Sequence, residues 1–454
     1  MACDILNFEW TSRPSRDRLA ATLVSNYLRE AGFQVKERSI FNFIGYMILY
    51  RPKLVFITNT TGAPENNLLA KVLSRWPGVK LISFVSEGNF KLSGEALSEF
   101  IWGWNRKKIL FEDLNLQWTD RTREATLKVH PELSGKVLVS GGIGFDNYRI
   151  QRGKTKDQFL RNYRKDKYRK VVGIGCWDFG PFYDTDPRYD RYVGLFSPEA
   201  SRRFRCDRDA FNEEIIKLIE AKQDWLFLLK EHPGTMIGRF GSAIEGAESY
   251  PNVLIVKNEE SILDCITVSD VWCVYESTTA LEAWLLDKPT CLLNPSGIDF
   301  IRDNLFRGSP AFMNADQLAS ALKNFCDSGV FPGFENLASV RDSIIKDSIQ
   351  WADGFNHVRA GNEIIRVASI GKKGSPQRAR ITTRDTLLLA QLEINWLWGT
   401  ICRAFECARN ESHTRGAFSK YEMSRYACKV RQDQQKYYIR SGFDMKKLET
   451  LRCR

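Results

Sequence analysis

Three short stretches hold side chains able to handle a phosphate ester and a hydroxyl nucleophile. In LFLLKEHPGTM, residues 226–236, an apolar run ends in Lys230, Glu231, His232 and Pro233. The chain has four histidines; this one is followed by a residue that has no backbone N–H and a fixed φ, so the strand cannot run on. An imidazole at such an end can donate to a phosphate oxygen, and Lys230 can add charge. In VWCVYESTTALEAWLLDKP, residues 271–289, a second apolar run ends at Glu276, and Ser277, Thr278 and Thr279 precede a helical pattern. Helix starts expose unpaired N–H groups, so these hydroxyls and amides form a phosphate cradle, with Glu282 one turn further on to meet a ribose diol. Plain helix capping explains the same residues one motif at a time. In ISFVSEGNF, residues 82–90, Glu87-Gly88 closes a third run, and a lone carboxylate there suits a general base.

These residues need elements to present them. Apolar runs at 3–10, 33–39, 53–59, 78–88, 107–113 and 135–142 alternate with helical stretches, of which the first carries Leu19, Leu23, Val24, Tyr27 and Leu28 on one face. Such alternation predicts a parallel sheet covered by helices. The pattern lapses over 146–168, read as a linker. It restarts with strands at 170–177, 225–230, 252–258, 271–276 and 289–294 and helices at 208–222, 261–268 and 278–287, and helices continue to about 369. Two doubly wound domains facing a cleft follow, spanning 1–150 and 151–369, and in such sheets ligands lie beyond the carboxyl ends of the strands. His232, Ser277 and Glu87 all fall at strand ends.

The charge is uneven. Of a net +11, a surplus of +10 lies in 371–454, where 18 Lys and Arg face 8 Asp and Glu. The nearly neutral body argues against a nucleic-acid-binding surface there; the basic tail suits an anionic membrane surface or an acidic polymer. GKKGSPQRAR, residues 371–380, reads as a second linker, and a helical extension follows it. In its helix, about Asp385 to Arg409, Leu387, Ile394, Leu397, Ile401 and Phe405 repeat on one face, which either packs on the body as an extra core helix or anchors the chain at a membrane surface. Eleven cysteines without a CxxC pair, and no secretory leader, read as a cytoplasmic protein with no structural zinc. The most apolar run, 40–50, is too short to span a bilayer and reads as a buried or interfacial helix.

Other residues carry less. Gly173 and Gly175 lack the full dinucleotide fingerprint; they let the backbone approach a ligand or simply turn. Asp184-Thr185-Asp186 has the form of a metal-binding DxD but lies among prolines and tyrosines, and His130 reads as local structure.

Glu87-Gly88, His232-Pro233 and Ser277-Thr278 together resemble the motif trio of bacterial polysialyltransferases and capsule Kdo transferases. The wider pattern KEHP…STTALEAW…KPT is similar to GT-B glycosyltransferases of surface carbohydrate biosynthesis, over roughly residues 1–365; teichoic-acid glycerophosphotransferases and UDP-sugar 2-epimerases share it. The resemblance implies a metal-independent transferase without a cofactor. His232, Ser277 and Thr278 would hold the phosphate of a nucleotide sugar, CMP-Kdo or a CMP-sialic-acid-like donor. Lys230, Pro233, Thr279, Glu282, Gly173 and Gly175 would complete the donor site, and Glu87 would deprotonate a glycan or lipid-linked acceptor. The family often has two acids before the glycine; Ser86 replaces one here. The expected location is cytoplasmic, peripheral at the inner membrane. A UDP-sugar 2-epimerase, which would not need the basic tail, and a non-catalytic scaffold are the rival readings.

Overall fold

A computed structural model describes residues 2–9, 16–40, 42–58, 60–61, 64–84, 97–98, 101–176, 198–231, 244–257, 259–274, 277–297, 304–370, 380–404 and 420–444. The chain divides into two compact units, residues 1–151 with 345–454, and residues 152–344.

The first unit is built on β1 (Ile5–Glu9), β2 (Val35–Ser39), β3 (Leu54–Thr58), β4 (Lys80–Phe84), β5 (Leu114–Gln117) and β6 (Val137–Val139), all parallel in the order β2-β1-β3-β4-β5-β6. Helices on both faces leave β3 buried at every position, hence its unbroken apolar sequence. One face packs on α1 (Arg16–Glu30), whose Leu23, Val24, Tyr27 and Leu28 meet Ile5, Phe56, Ile82 and Leu116. The other face packs on α2 (Phe43–Tyr50) and α3 (Pro64–Ser74). The predicted strand 107–113 is not one. The Asn105 side chain bonds both the N–H and the C=O of Ile109, groups a strand would pair with a neighbour, and β5 begins only at Leu114. After α4 (Asp120–Val129), the segment read as a linker is packed structure. It holds α5 (Asn147–Ile150) and α6 (Lys156–Asn162), with Ile150, Phe159 and Leu160 buried. The break between units falls inside it.

The second unit has β7 (Lys170–Gly175), α7 (Pro198–Ala221), β8 (Trp225–Lys230), β9 (Val253–Val256), α8 (Ile262–Val268), β10 (Val271–Val274), α9 (Thr279–Leu285), β11 (Thr290–Leu293), the short edge strand β12 (Ala311–Phe312), α10 (Ala315–Ser328) and most of α11 (Ala338–Ile349). Its parallel sheet runs β12-β11-β10-β7-β8-β9. The chain winds outward from β7 through β8 and β9, then returns to β10 on the other side of β7. The place where strand-end connections part in opposite directions therefore lies between β7 and β10.

Residues 345–369, placed with the second domain by their pattern, group with the first unit. Val358, Ala360, Ile364 and Ile365 of α12 (Asn356–Ser369) enter the core around α1. Gly361 permits this approach, since a Cβ there would lie 2.2 Å from the Tyr27 ring, and Tyr27 donates to Asn362 Oδ1 at 2.6 Å. The basic extension also packs on the first unit. In α13 (Thr383–Ala404), Leu392 joins the α2–α3 core, and Asp385 pairs with Lys71 at 2.9 Å. In α14 (Lys420–Arg440), Val430, Tyr437 and Tyr438 enter the α1–α12 core. A buried polar chain anchors α14. His357 contacts Asp146 Oδ2 through Nδ1 at 2.7 Å and the Tyr438 hydroxyl through Nε2 at 2.6 Å, and Gln434 Nε2 donates to that hydroxyl at 2.7 Å.

Candidate functional site

In a doubly wound sheet, the crevice at the strand-order switch accepts ligands. In the second unit that place is bounded by the ends of β7 and β10, and Ser277, Thr278 and Thr279 follow β10 there. Thr278 is the N-cap residue of α9 but makes no side-chain cap bond; instead the amide of Thr279 donates to Ser277 Oγ at 3.3 Å. The Ser277 and Thr279 hydroxyls are 2.9 Å apart, and Trp272 Nε1 donates to Thr279 Oγ1 at 2.9 Å. A relay thus runs from an indole inside the sheet to hydroxyls at the switch point.

Gly173 and Gly175 belong to this relay in a way the sequence reading did not anticipate. Gly173 stands opposite Trp272 in the β7–β10 register. A Cβ on Gly173 would lie 2.3 Å from both the Trp272 ring and Ser269 Oγ, and one on Gly175 would lie 2.5 Å from Thr279 Oγ1. The two glycines make room for the indole and the threonine of their own unit. Trp272 itself was missed; its signal was a bulky residue opposite a Gly-x-Gly run in a neighbouring strand.

Lys230 ends β8 almost buried, and its Nζ donates to the carbonyls of Glu231 and Lys257. Burial pulls its pKa below the ordinary lysine value. Two contacts of its ammonium are therefore made to backbone rather than offered to a ligand. Beside it, burial holds the Cys176 thiol well above the usual range, which makes it an inert core group. Glu282 is only 3% exposed, inside the first turns of α9. Glu87, His232, Pro233 and Asp184-Thr185-Asp186 lie outside the described residues.

In the first unit, a buried polar chain lies on the α3 face near the ends of β4 and β5. Ser83 donates to Glu112 Oε1 at 3.0 Å, Asn115 donates to Ser83 Oγ at 2.8 Å, and Gln117 donates to Asn115 Oδ1 at 2.5 Å. Burial raises the Glu112 carboxyl pKa, against the opposing hydrogen bonds from Thr60 and Ser83. Sequence reading missed Glu112 because it sits in a run taken for a strand. His130 is local structure as expected, capping the end of α4 with Nδ1 3.0 Å from Glu132.

No family model and no curated protein matches the chain. Solved structures do. A Listeria monocytogenes protein assigned as a UDP-N-acetylglucosamine 2-epimerase aligns with TM-score 0.53 and 13% identity over 83% of this chain and 99% of that one. The S. aureus MnaA–UDP co-structure aligns with TM-score 0.50 and 14% identity over 82% and 99%. The chain has a GT-B fold. The wall teichoic acid polymerase TagF also aligns, with TM-score 0.48 and 11% identity over 80% of this chain and 88% of that one. At these identities the likenesses show the fold alone. Among the described residues, no helix is long and apolar enough to cross a membrane.

Proposed function

We propose that the chain is a glycosyltransferase that moves a CMP-activated ulosonic acid, Kdo or a sialic-acid-like sugar, onto a glycan or lipid-linked acceptor at the cytoplasmic face of the inner membrane. The observation that supports it is the placing of Ser277, Thr278 and Thr279 at the switch point of the second sheet, two strands from the end of β8 that leads into His232-Pro233. Their hydroxyls and His232 hold the donor phosphate. Glu87 takes the proton of the acceptor hydroxyl. The acceptor oxygen bonds the anomeric carbon as the bond from that carbon to the phosphate breaks, and the nucleotide leaves with its charge met by these donors. The reading invokes no metal or cofactor.

A UDP-sugar 2-epimerase is the second reading, supported by the likeness to the Listeria and S. aureus proteins. The basic extension does not decide against it, because α14 is core structure of the first unit.

Calorimetric titration with CMP, CDP, UDP and GDP separates the readings. Preference for CMP, with binding weakened roughly 10–100-fold in His232→Ala, supports the transferase. In that case Glu87→Gln retains binding and loses roughly 10²–10⁴-fold in transfer. Binding of UDP alone, with UDP-N-acetylglucosamine epimerised when no acceptor is present, replaces it with the epimerase. Failure to bind any of the four refutes both.

A further inference from the structure

The face of the first unit covered by α2, α3 and α13 carries an unusual outer surface. All three helices bury side chains in one core against the same side of the sheet: Met47 from α2, Leu69 from α3 and Leu392 from α13. Yet the outer side of this layer is apolar too. On α13, Leu387, Ile394, Leu397, Trp398 and Ile401 are 40–67% exposed, at steps of seven, three, one and three residues that keep them on one side of the helix. Leu388, Leu389 and Leu392 point the other way, into the core. On α2, Ile48 and Leu49 are 60% and 55% exposed. An ordinary surface helix is apolar on its buried face only; α13 is apolar on both. The stripe that sequence periodicity singled out is the outward one.

The charges of this layer are sorted. The only acids in α13 are Asp385, paired with Lys71, and Glu393, whose partly buried carboxyl is held above its ordinary pKa by desolvation. Neither belongs to the outward stripe. Arg380 and Arg384 are exposed at the start of α13, and Arg51 and Lys53 are exposed just past the end of α2. Among the described residues, Lys53 has one loose charged partner, Asp4, at 3.9 Å. Arg51 and Lys53 also line a groove of about 380 Å³ together with Met47, Ile48 and Trp76. An apolar floor beside two cations is the chemistry of a phospholipid: acyl carbons against the floor, phosphate against the cations.

We propose that this helical layer seats the first unit on an anionic phospholipid bilayer, with the outward stripe of α13 and the end of α2 at the headgroup–acyl boundary and the four cations facing lipid phosphates. Helices that lie in an interface combine these same two features, an apolar face and basic flanks. The proposal rests on the inner-membrane placing of the acceptor and is independent of the donor. It names the surface through which that placing is achieved.

Flotation of the purified full chain with phosphatidylcholine vesicles, with and without about one-third phosphatidylglycerol, tests it. The chain is expected to float with the anionic vesicles and to stay behind with the neutral ones. Leu397→Gln with Trp398→Gln is expected to lower partitioning about tenfold, since two large apolar groups no longer leave water. Arg380→Gln with Arg384→Gln is expected to lower it comparably at low salt and less at high salt. Both pairs of positions are exposed, so the melting temperature should hold. Three results overturn the proposal: no flotation of the wild-type chain, flotation of both variants like wild type, or a dimer in sedimentation that Leu397→Gln with Trp398→Gln dissolves, which would make the face a contact between copies. Nucleotide titration of the same samples is a separate readout. Flotation without nucleotide binding removes the transferase and keeps the surface; the converse keeps the donor site and removes the surface.

Discussion

Gly173→Ala tests whether the strand-end hydroxyls are held by the indole behind them. The added Cβ would stand 2.3 Å from the Trp272 ring and from Ser269 Oγ, both anchored inside the second unit. To reach ordinary contact the ring has to retreat by about 1 Å. Its neighbours are packed, so the insertion costs about 1–3 kcal/mol. A ring that retreats also loses its 2.9 Å bond to Thr279, which adds about 0.5–1.5 kcal/mol. The expected destabilisation is about 2–4 kcal/mol, or about 5–15 °C in the melting temperature of a unit this size. Differential scanning calorimetry reads it directly. Gly135→Ala is the control: a Cβ there meets nothing within 4 Å, so it should change stability by less than about 1 kcal/mol. In the double variant Gly173→Ala with Trp272→Leu, the smaller side chain should relieve the clash, making the combined loss smaller than the sum of the single losses. A Gly173→Ala protein that melts like wild type would refute the seating of Trp272 on β7, and with it the relay that places Thr279 and Ser277.

Two further outcomes follow from buried polar groups. Tyr438→Phe removes the hydroxyl shared by His357 and Gln434 and leaves both without it, so urea unfolding should show a loss of about 1–3 kcal/mol; no loss would mean that α14 is held by its apolar contacts alone. Glu112 has its pKa raised by burial, so its favourable neutral form is kept at low pH and the protein loses stability as pH rises through that raised pKa. Glu112→Gln cannot ionise, so melting curves taken across pH should show the variant gaining on wild type as pH increases, and a constant difference would refute a buried ionisable carboxyl.

The alternation of apolar runs determined a great deal unaided: two parallel sheets with helices on both faces, the α1 face with Leu23, Val24, Tyr27 and Leu28, and the setting of Ser277 and Lys230 at strand ends. Period and run length report which positions are buried, and burial is a local property of an element. What a buried side chain touches is not local. Lys230 was read as a cation for a ligand, but its contacts are carbonyls of its own and the neighbouring strand end. The two glycines were read as a ligand approach or a turn; the neighbours that occupy the space beside them are Trp272 and Thr279, about a hundred residues away and adjacent only through the β7–β10 pairing. The grouping of the chain into compact units is no more local. The pattern at 345–369 is that of any amphipathic helix, and only its packing against α1, with Val358, Ile364 and Ile365 in that core and Gly361 against Tyr27, groups α12 with the first unit. The basic extension was legible as charge and as a helical stripe. That its stripe faces outward, while a different set of leucines and two tyrosines of α14 hold it to the body, was decided by tertiary packing, because a helix apolar on two sides does not say in its sequence which side meets the core.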